Sequence, residues 1–155
     1  MKIPSSHTLI AKIFHWGFII LYTYGMVKQL DDLSQLEDAG LLYFEVVFSI
    51  LFLLIVIFRY LYMRKYKTFF GARKAVSKAH QYLGKTIHIS MYLCLVLLPL
   101  SGLLIAGLYS FGFKDGILQG IAVGIHEFSA SISYFLIVIH VVGAVYSRIK
   151  GEGIW

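Results

Sequence analysis

Cysteine is almost absent from this chain of 155 residues, and its scarcity excludes two kinds of chemistry. The single Cys94 cannot close an internal disulfide, and no Cys-x-x-Cys-His sequence exists to attach a c-type haem covalently. Cys94 lies in an apolar run and reads as a small buried residue. Proline is limited to two residues and low-complexity stretches are missing, so nothing marks a flexible linker, and one domain over 1–155 is expected. Charge is scarce as well: 14% of residues are charged, against about 25% in soluble domains. With 59% hydrophobic residues and a mean hydropathy of +0.77, the chain has lipid as its solvent.

Four segments are long and apolar enough for hydrocarbon about 30 Å thick, which takes about 20 helical residues. They cover about 9–27, 40–62, 86–108 and 118–147, giving an all-α, integral membrane four-helix bundle. Lys12 is the one charge of the first and can snorkel to the near interface. The second contains Glu45 ahead of Arg59, and Pro99 and Gly102 predict a kink in the third. Lys2 before an apolar stretch resembles a signal peptide, but Tyr22 and Tyr24 stand where a small-residue cleavage site belongs, so a retained helix is expected.

Acidic residues are missing from the connection between helices two and three, which carries Arg59, Arg64, Lys65, Lys67, Arg73, Lys74, Lys78 and Lys85. The positive-inside rule puts this loop and both termini in the cytoplasm of a bacterial inner membrane protein. The first connection carries Asp31, Asp32, Glu37 and Asp38 against Lys28. The formal net charge of +6 is concentrated in the basic loop, where anionic lipid headgroups are its natural counterpart. Nucleic acid is not an expected partner.

Ionisable residues inside a membrane are costly and mark function. His15, His88 and His140 fall near the cytoplasmic face on helices one, three and four, so three imidazoles share one level. His126 lies toward the outside, 14 residues before His140 on the same helix. At 3.6 residues per turn this spacing returns to within about 40° of the same face and about 21 Å along the axis. One helix thus offers imidazoles at two depths, a geometry suited to axial ligation of two stacked haems b. The alternative for each is a core imidazole bonded to a neighbouring helix. His15 and His140, level and on helices expected to be neighbours, are the strongest pair for ligation. Gly17, Gly25 and Gly143 would let a flat macrocycle or a helix approach closely.

The segment Ile13-Phe14-His15-Trp16, the stretch from His88 to Tyr92 followed by Leu98-Pro99-Leu100-Ser101-Gly102, and Ile125-His126-Glu127 with His140 together resemble the bacterial cytochrome b561 family. That family is related to the cytochrome b subunits of nickel hydrogenases and formate dehydrogenases. The resemblance covers nearly the whole chain. It implies a membrane b-type cytochrome that exchanges electrons with ubiquinone, or in some members with superoxide, acting alone or as the cytochrome subunit of a larger redox complex. By carry-over, His15 and His140 match ligands of the cytoplasmic-side haem, and His126 matches one ligand of the outer haem.

The pattern breaks on helix two. The family places a histidine there fourteen residues before an arginine, and counting back from Arg59 reaches Glu45. Three arrangements are open: a Glu45–His126 hydrogen bond without haem, haem held by His126 alone, or ligation involving Glu45 or Met26. One haem is expected, with the outer one in doubt. His88 is expected to serve a haem propionate or a quinone carbonyl, or else to be a structural histidine at the interface, and His7 and His80 to be solvated. Tyr22, Tyr24, Trp16 and Trp155 fit interface belts and core packing, and Glu127 serves proton uptake or snorkels. The short tail after His140 is expected to leave substrate chemistry to a haem edge or a partner, which includes further subunits or a second copy. A haem-free anchor or assembly subunit of a respiratory complex is the alternative function.

Overall fold

In hydrocarbon, backbone polar groups find partners only within helices or closed barrels, and this chain takes the helical solution. The computed structural model describes residues 9–65 and 78–150, and within them there are four long helices and no strand. They are α1 (Leu9–Val27), α2 (Ala39–Lys65), α3 (Lys78–Ser110) and α4 (Gly116–Ile149). All four are long and apolar enough to cross a membrane. His7, Lys67, Arg73, Lys74 and residues 151–155 lie outside the described residues. The expected span 9–27 coincides with α1, whereas α3 begins eight residues before the expected 86. Its extra turns carry Lys78, His80 and Lys85, so helix continues past the apolar stretch into the basic segment.

The connections show why the helices stop where they do. Asp38 Oδ1 accepts from Gly40 N at 2.8 Å and Leu41 N at 3.3 Å, capping the first turn of α2. A 3₁₀ turn, Leu33–Glu37, precedes it. Its cap Asp32 accepts from Ser34 N at 2.7 Å, and that hydrogen bond holds the Asp32 carboxyl below its ordinary pKa. At the end of α3, Phe113 N donates to Leu108 O and Gly112 N to Tyr109 O. This pairing needs a left-handed residue, supplied by Gly112 at φ 91°.

The helices pack in chain order, α1 on α2, α2 on α3 and, most extensively, α3 on α4. Large apolar side chains point outward, among them Trp16, Phe58, Leu93 and Phe128, as expected of surfaces that face lipid. The buried interior forms two clusters. Phe18, Phe52, Val56, Leu95 and Leu98 fill the middle, and Leu36, Ile105, Tyr109 and Ala122 close the end near the acidic connection. That end is called the acidic end here, and the opposite one, where α2 finishes and α3 begins, the basic end. Pro99 sits within α3 without ending it.

Candidate functional site

A side-chain contact between α1 and α4 sets the register of the site. Tyr22 Oη and Ser133 Oγ lie 2.8 Å apart, and Ser133 is fully buried. Tyr22 is seven residues after His15, and Ser133 is seven before His140 and seven after His126. Seven residues advance about 10.5 Å and return to within about 20° of the same face. On these antiparallel helices the contact therefore brings His15 and His140 to one depth, on facing sides. His126 lies an equal distance toward the acidic end. Of the aromatics expected in interface belts and core packing, Tyr22 takes an interior position, while Trp16 is 61% exposed at the bundle surface.

Arg59 of α2 is the hub of the basic-end level. Its Nη2 donates to His15 Nδ1 at 2.7 Å, since a guanidinium has donors only. It is also within electrostatic reach of His88, His140 and Tyr92. Its Cζ stands 5.6 Å from the Phe18 ring centroid. Among the described residues the ion pairs are Lys28–Glu45 and Lys114–Glu37, so no carboxylate there neutralises Arg59. His88 Nε2 is 3.2 Å from His140 Nδ1, with ring centroids 5.0 Å apart. His88 thus directs its Nε2 to a neighbouring imidazole.

The acidic-end level is built differently. His126 Nδ1 lies 3.0 Å from Leu98 O and 2.9 Å from Ser101 Oγ. A carbonyl only accepts, so Nδ1 carries the proton and the neutral ring keeps its lone pair on Nε2. Ser101 in turn donates back to Leu97 O at 2.6 Å or Leu98 O at 2.9 Å, a back-bond that adapts α3 locally to the imidazole. His126 lines a cavity of about 820 Å³ between the helices, together with Glu45, Met26, Tyr22, Ser49 and Tyr134. Asp31 and Asp32 of the first connection lie at its rim.

The expected Glu45–His126 hydrogen bond is not formed. Glu45 Oε1 pairs with Lys28 Nζ at 3.2 Å, and His126 turns its Nδ1 to α3. The stronger partner for a carboxylate within reach is the ammonium, which stacks over Phe44 at 3.4 Å from its centroid. Met26 Sδ receives Gln29 Nε2 at 3.7 Å. Close approach occurs at one of the three expected glycines, Gly25, and at Gly102, which was not among them. Gly17 and Gly143 face open space, whereas a Cβ on Gly25 would meet the Phe48 ring at 3.1 Å. One on Gly102 would meet Ser49 Oγ at 3.2 Å and His126 Cε1 at 3.5 Å. His80 and Glu127 are exposed, and Cys94 is half-buried instead of buried.

Sequence reasoning missed Arg59 as a functional group, along with Tyr22, Ser133, Ser101 and Ser49. For Arg59 a signal existed, since an arginine within an apolar helix at the depth of three histidines is costly without a partner. Among the described residues no group of three or more His, Cys, Asp or Glu could hold a bare ion. Haem iron asks less, since the porphyrin supplies four donors and the protein one or two. A family model described as prokaryotic cytochrome b561 matches residues 6–155. No curated relative and no solved structure matches the chain.

Proposed function

Because the chain belongs to the prokaryotic cytochrome b561 family, whose members are membrane b-type cytochromes of electron transfer, we propose that His15 and His140 hold one low-spin haem b between α1 and α4. The carrying observation is the register set by Tyr22 and Ser133, which opposes the two imidazoles at the level of an arginine with no carboxylate partner. Bound there, haem b supplies reversible one-electron chemistry at its iron. Arg59 would pair with the propionates, for which a guanidinium is the suited cation. His15 Nδ1 accepts from Arg59, so release of that contact frees the ring to carry its proton at Nδ1 and present Nε2. His88 holds Nδ1 of His140 and thereby orients that ligand, as second partners of metal-bound imidazoles do.

The positive-inside rule supports a cytoplasmic basic end, with both termini inside a bacterial inner membrane. Electron exchange with a quinone is proposed at the same end, where Lys78, His80 and Lys85 extend α3 beyond the apolar span. The haem-free anchor would leave Arg59 without an anion, and the family match speaks for the cytochrome. His15→Ala and His140→Ala should each abolish the low-spin bands in reduced-minus-oxidised spectra of the purified protein. Unchanged low-spin spectra in both variants would refute the assignment.

A further inference from the structure

One face of α3 is left outside the bundle, and its character changes along the axis. Lys78, Tyr82, Lys85, Ile89 and Leu93 follow one another at intervals of four, three, four and four residues, the spacing that keeps side chains on one side of a helix. All five are exposed, with Tyr82 at 72%, Ile89 at 50% and Leu93 at 62%. The residues that α3 buries, among them Leu95, Leu98 and Ile105, lie on the opposite side. Ile89 and Leu93 belong to the apolar stretch, as lipid-facing side chains do. Lys78, Tyr82 and Lys85 belong to the turns that continue α3 into the basic segment, and α3 contains no acidic residue.

We propose that this face binds one anionic phospholipid of the bilayer, with the headgroup phosphate held between Lys78, Tyr82 and Lys85 and an acyl chain lying along Ile89 and Leu93. The Cα–Cβ bonds of a helix lean toward its N-terminus. Because α3 enters the membrane from its basic end, Tyr82 and Lys85 reach back out of the hydrocarbon toward the headgroup layer, where a phenol and an ammonium are favoured. Lys78 and Lys85 stand about 10.5 Å apart along the axis, and two flexible four-carbon stems close that distance on one phosphate. Charge complementarity selects the lipid: a zwitterionic headgroup brings its own cation to the lysines, whereas an anionic one brings none. A diffuse surface field would weigh every cation of the basic end alike. Here the preference belongs to two lysines of α3, and not to Arg148 and Lys150, which close α4 at the same end.

The full chain is purified in neutral detergent and incubated with equimolar phosphatidylglycerol and phosphatidylcholine of the same acyl chains, and the lipid retained per chain is counted by native mass spectrometry. The wild type should prefer phosphatidylglycerol by about fivefold or more, the factor that one basic residue near a membrane surface contributes, and the preference should fall as salt is added. Lys78→Gln/Lys85→Gln should bring the ratio to within about twofold of unity, whereas Lys78→Arg/Lys85→Arg should keep it. Arg148→Gln/Lys150→Gln removes the same charge from the same end and should leave the ratio near that of the wild type. Glycerol phosphate, which has no acyl chains, should not displace the retained lipid when added in excess; displacement would overturn the lipid as occupant. Equal retention of both lipids by the wild type, a preference that survives Lys78→Gln/Lys85→Gln, or one lost equally in Arg148→Gln/Lys150→Gln would each overturn the proposal. The site needs no haem, so the low-spin spectrum of the same preparations tests the His15–His140 assignment separately.

Discussion

Removing the hydroxyl of Tyr22 and that of Ser133 should have unequal costs, because the two oxygens are differently supported. Ser133 Oγ also bonds to Ala130 O at 2.8 Å, so Tyr22→Phe leaves no buried serine hydroxyl without a partner. The cost should then be near that of one interhelical hydrogen bond in a membrane protein, about 0.6 kcal/mol and at most about 1.7 kcal/mol. Ser133→Ala strands the half-buried Tyr22 phenol, whose unsatisfied group should bring the cost to about 1–2 kcal/mol. The double variant should then cost less than the sum of the singles, with a coupling of about 0.6 kcal/mol. Unfolding in mixed detergent, followed by circular dichroism and haem absorbance, gives all four corners of the cycle. The contact also sets the register of His15 against His140, so both singles should broaden or diminish the low-spin bands. A coupling of zero, or wild-type low-spin spectra in a variant with the contact broken, would refute the idea that this bond aligns the ligands.

Two further expectations follow from the same geometry. His88→Ala should weaken haem retention at the basic end by about 10- to 100-fold, as loss of an orienting partner does, whereas His88→Gln, which keeps a polar group near His140 Nδ1, should restore most of it; equal retention in wild type and His88→Ala, measured by haem transfer to apomyoglobin, would remove the orienting role. Gly102→Val should displace the His126 ring, since even a Cβ there lies 3.5 Å from Cε1 and 3.2 Å from Ser49 Oγ, and overpacking should destabilise the protein by about 1–3 kcal/mol in mixed-detergent unfolding; an unaltered unfolding transition would show that α3 yields at this point.

The architecture was legible because the bilayer imposes length and polarity rules on contiguous residues, and the end of α1 at Val27 falls where the sequence placed it. The start of α3 was not. The segment from Lys78 to Lys85 has no apolar periodicity to mark it, and it is helical as an extension of the span that follows. Periodicity on one helix likewise put His126 and His140 on one face. What pairs across helices was harder to see. Glu45 and His126 were matched by depth, yet Lys28 at the end of α1 takes the carboxylate and the carbonyl of Leu98 takes the imidazole. Depth alone does not reveal which of several polar groups at one level lie within 3 Å. The glycines show the same limit, because Gly102 becomes a close-approach position only when Ser49 and His126 arrive from other helices.

The two levels of α4 carry different electrostatic demands, and this explains why they depart from the family pattern to different degrees. At the basic end Arg59 brings a fixed positive charge into the helices, at a cost of about 2.5–3.5 kcal/mol for a lone charge at the bilayer centre and less near the interface. Neutral imidazoles relieve little of that cost and an anionic cofactor would relieve much of it, so under the proposed assignment His15, His140 and Arg59 would act as one unit. Loss of either histidine would then leave the arginine without its anion. At the acidic end, among the described residues, the charged residues of the cavity lining that form no ion pair, Asp31, Asp32 and Glu127, are exposed. Lys28 and Glu45 neutralise each other, and His126 satisfies itself on α3. Glu45 is therefore accommodated locally, by an ion pair to α1, without disturbing the imidazole across the cavity. Between the levels, Tyr22, Phe18 and Phe52 form a packed aromatic layer, with Phe18 and Phe52 centroids 5.3 Å apart. Ser133 is anchored in that layer at the midpoint of the 14-residue interval. A change at the acidic end is thus separated from the His15–His140 pair by this aromatic layer, and the side chains of one level can alter while those of the other are retained.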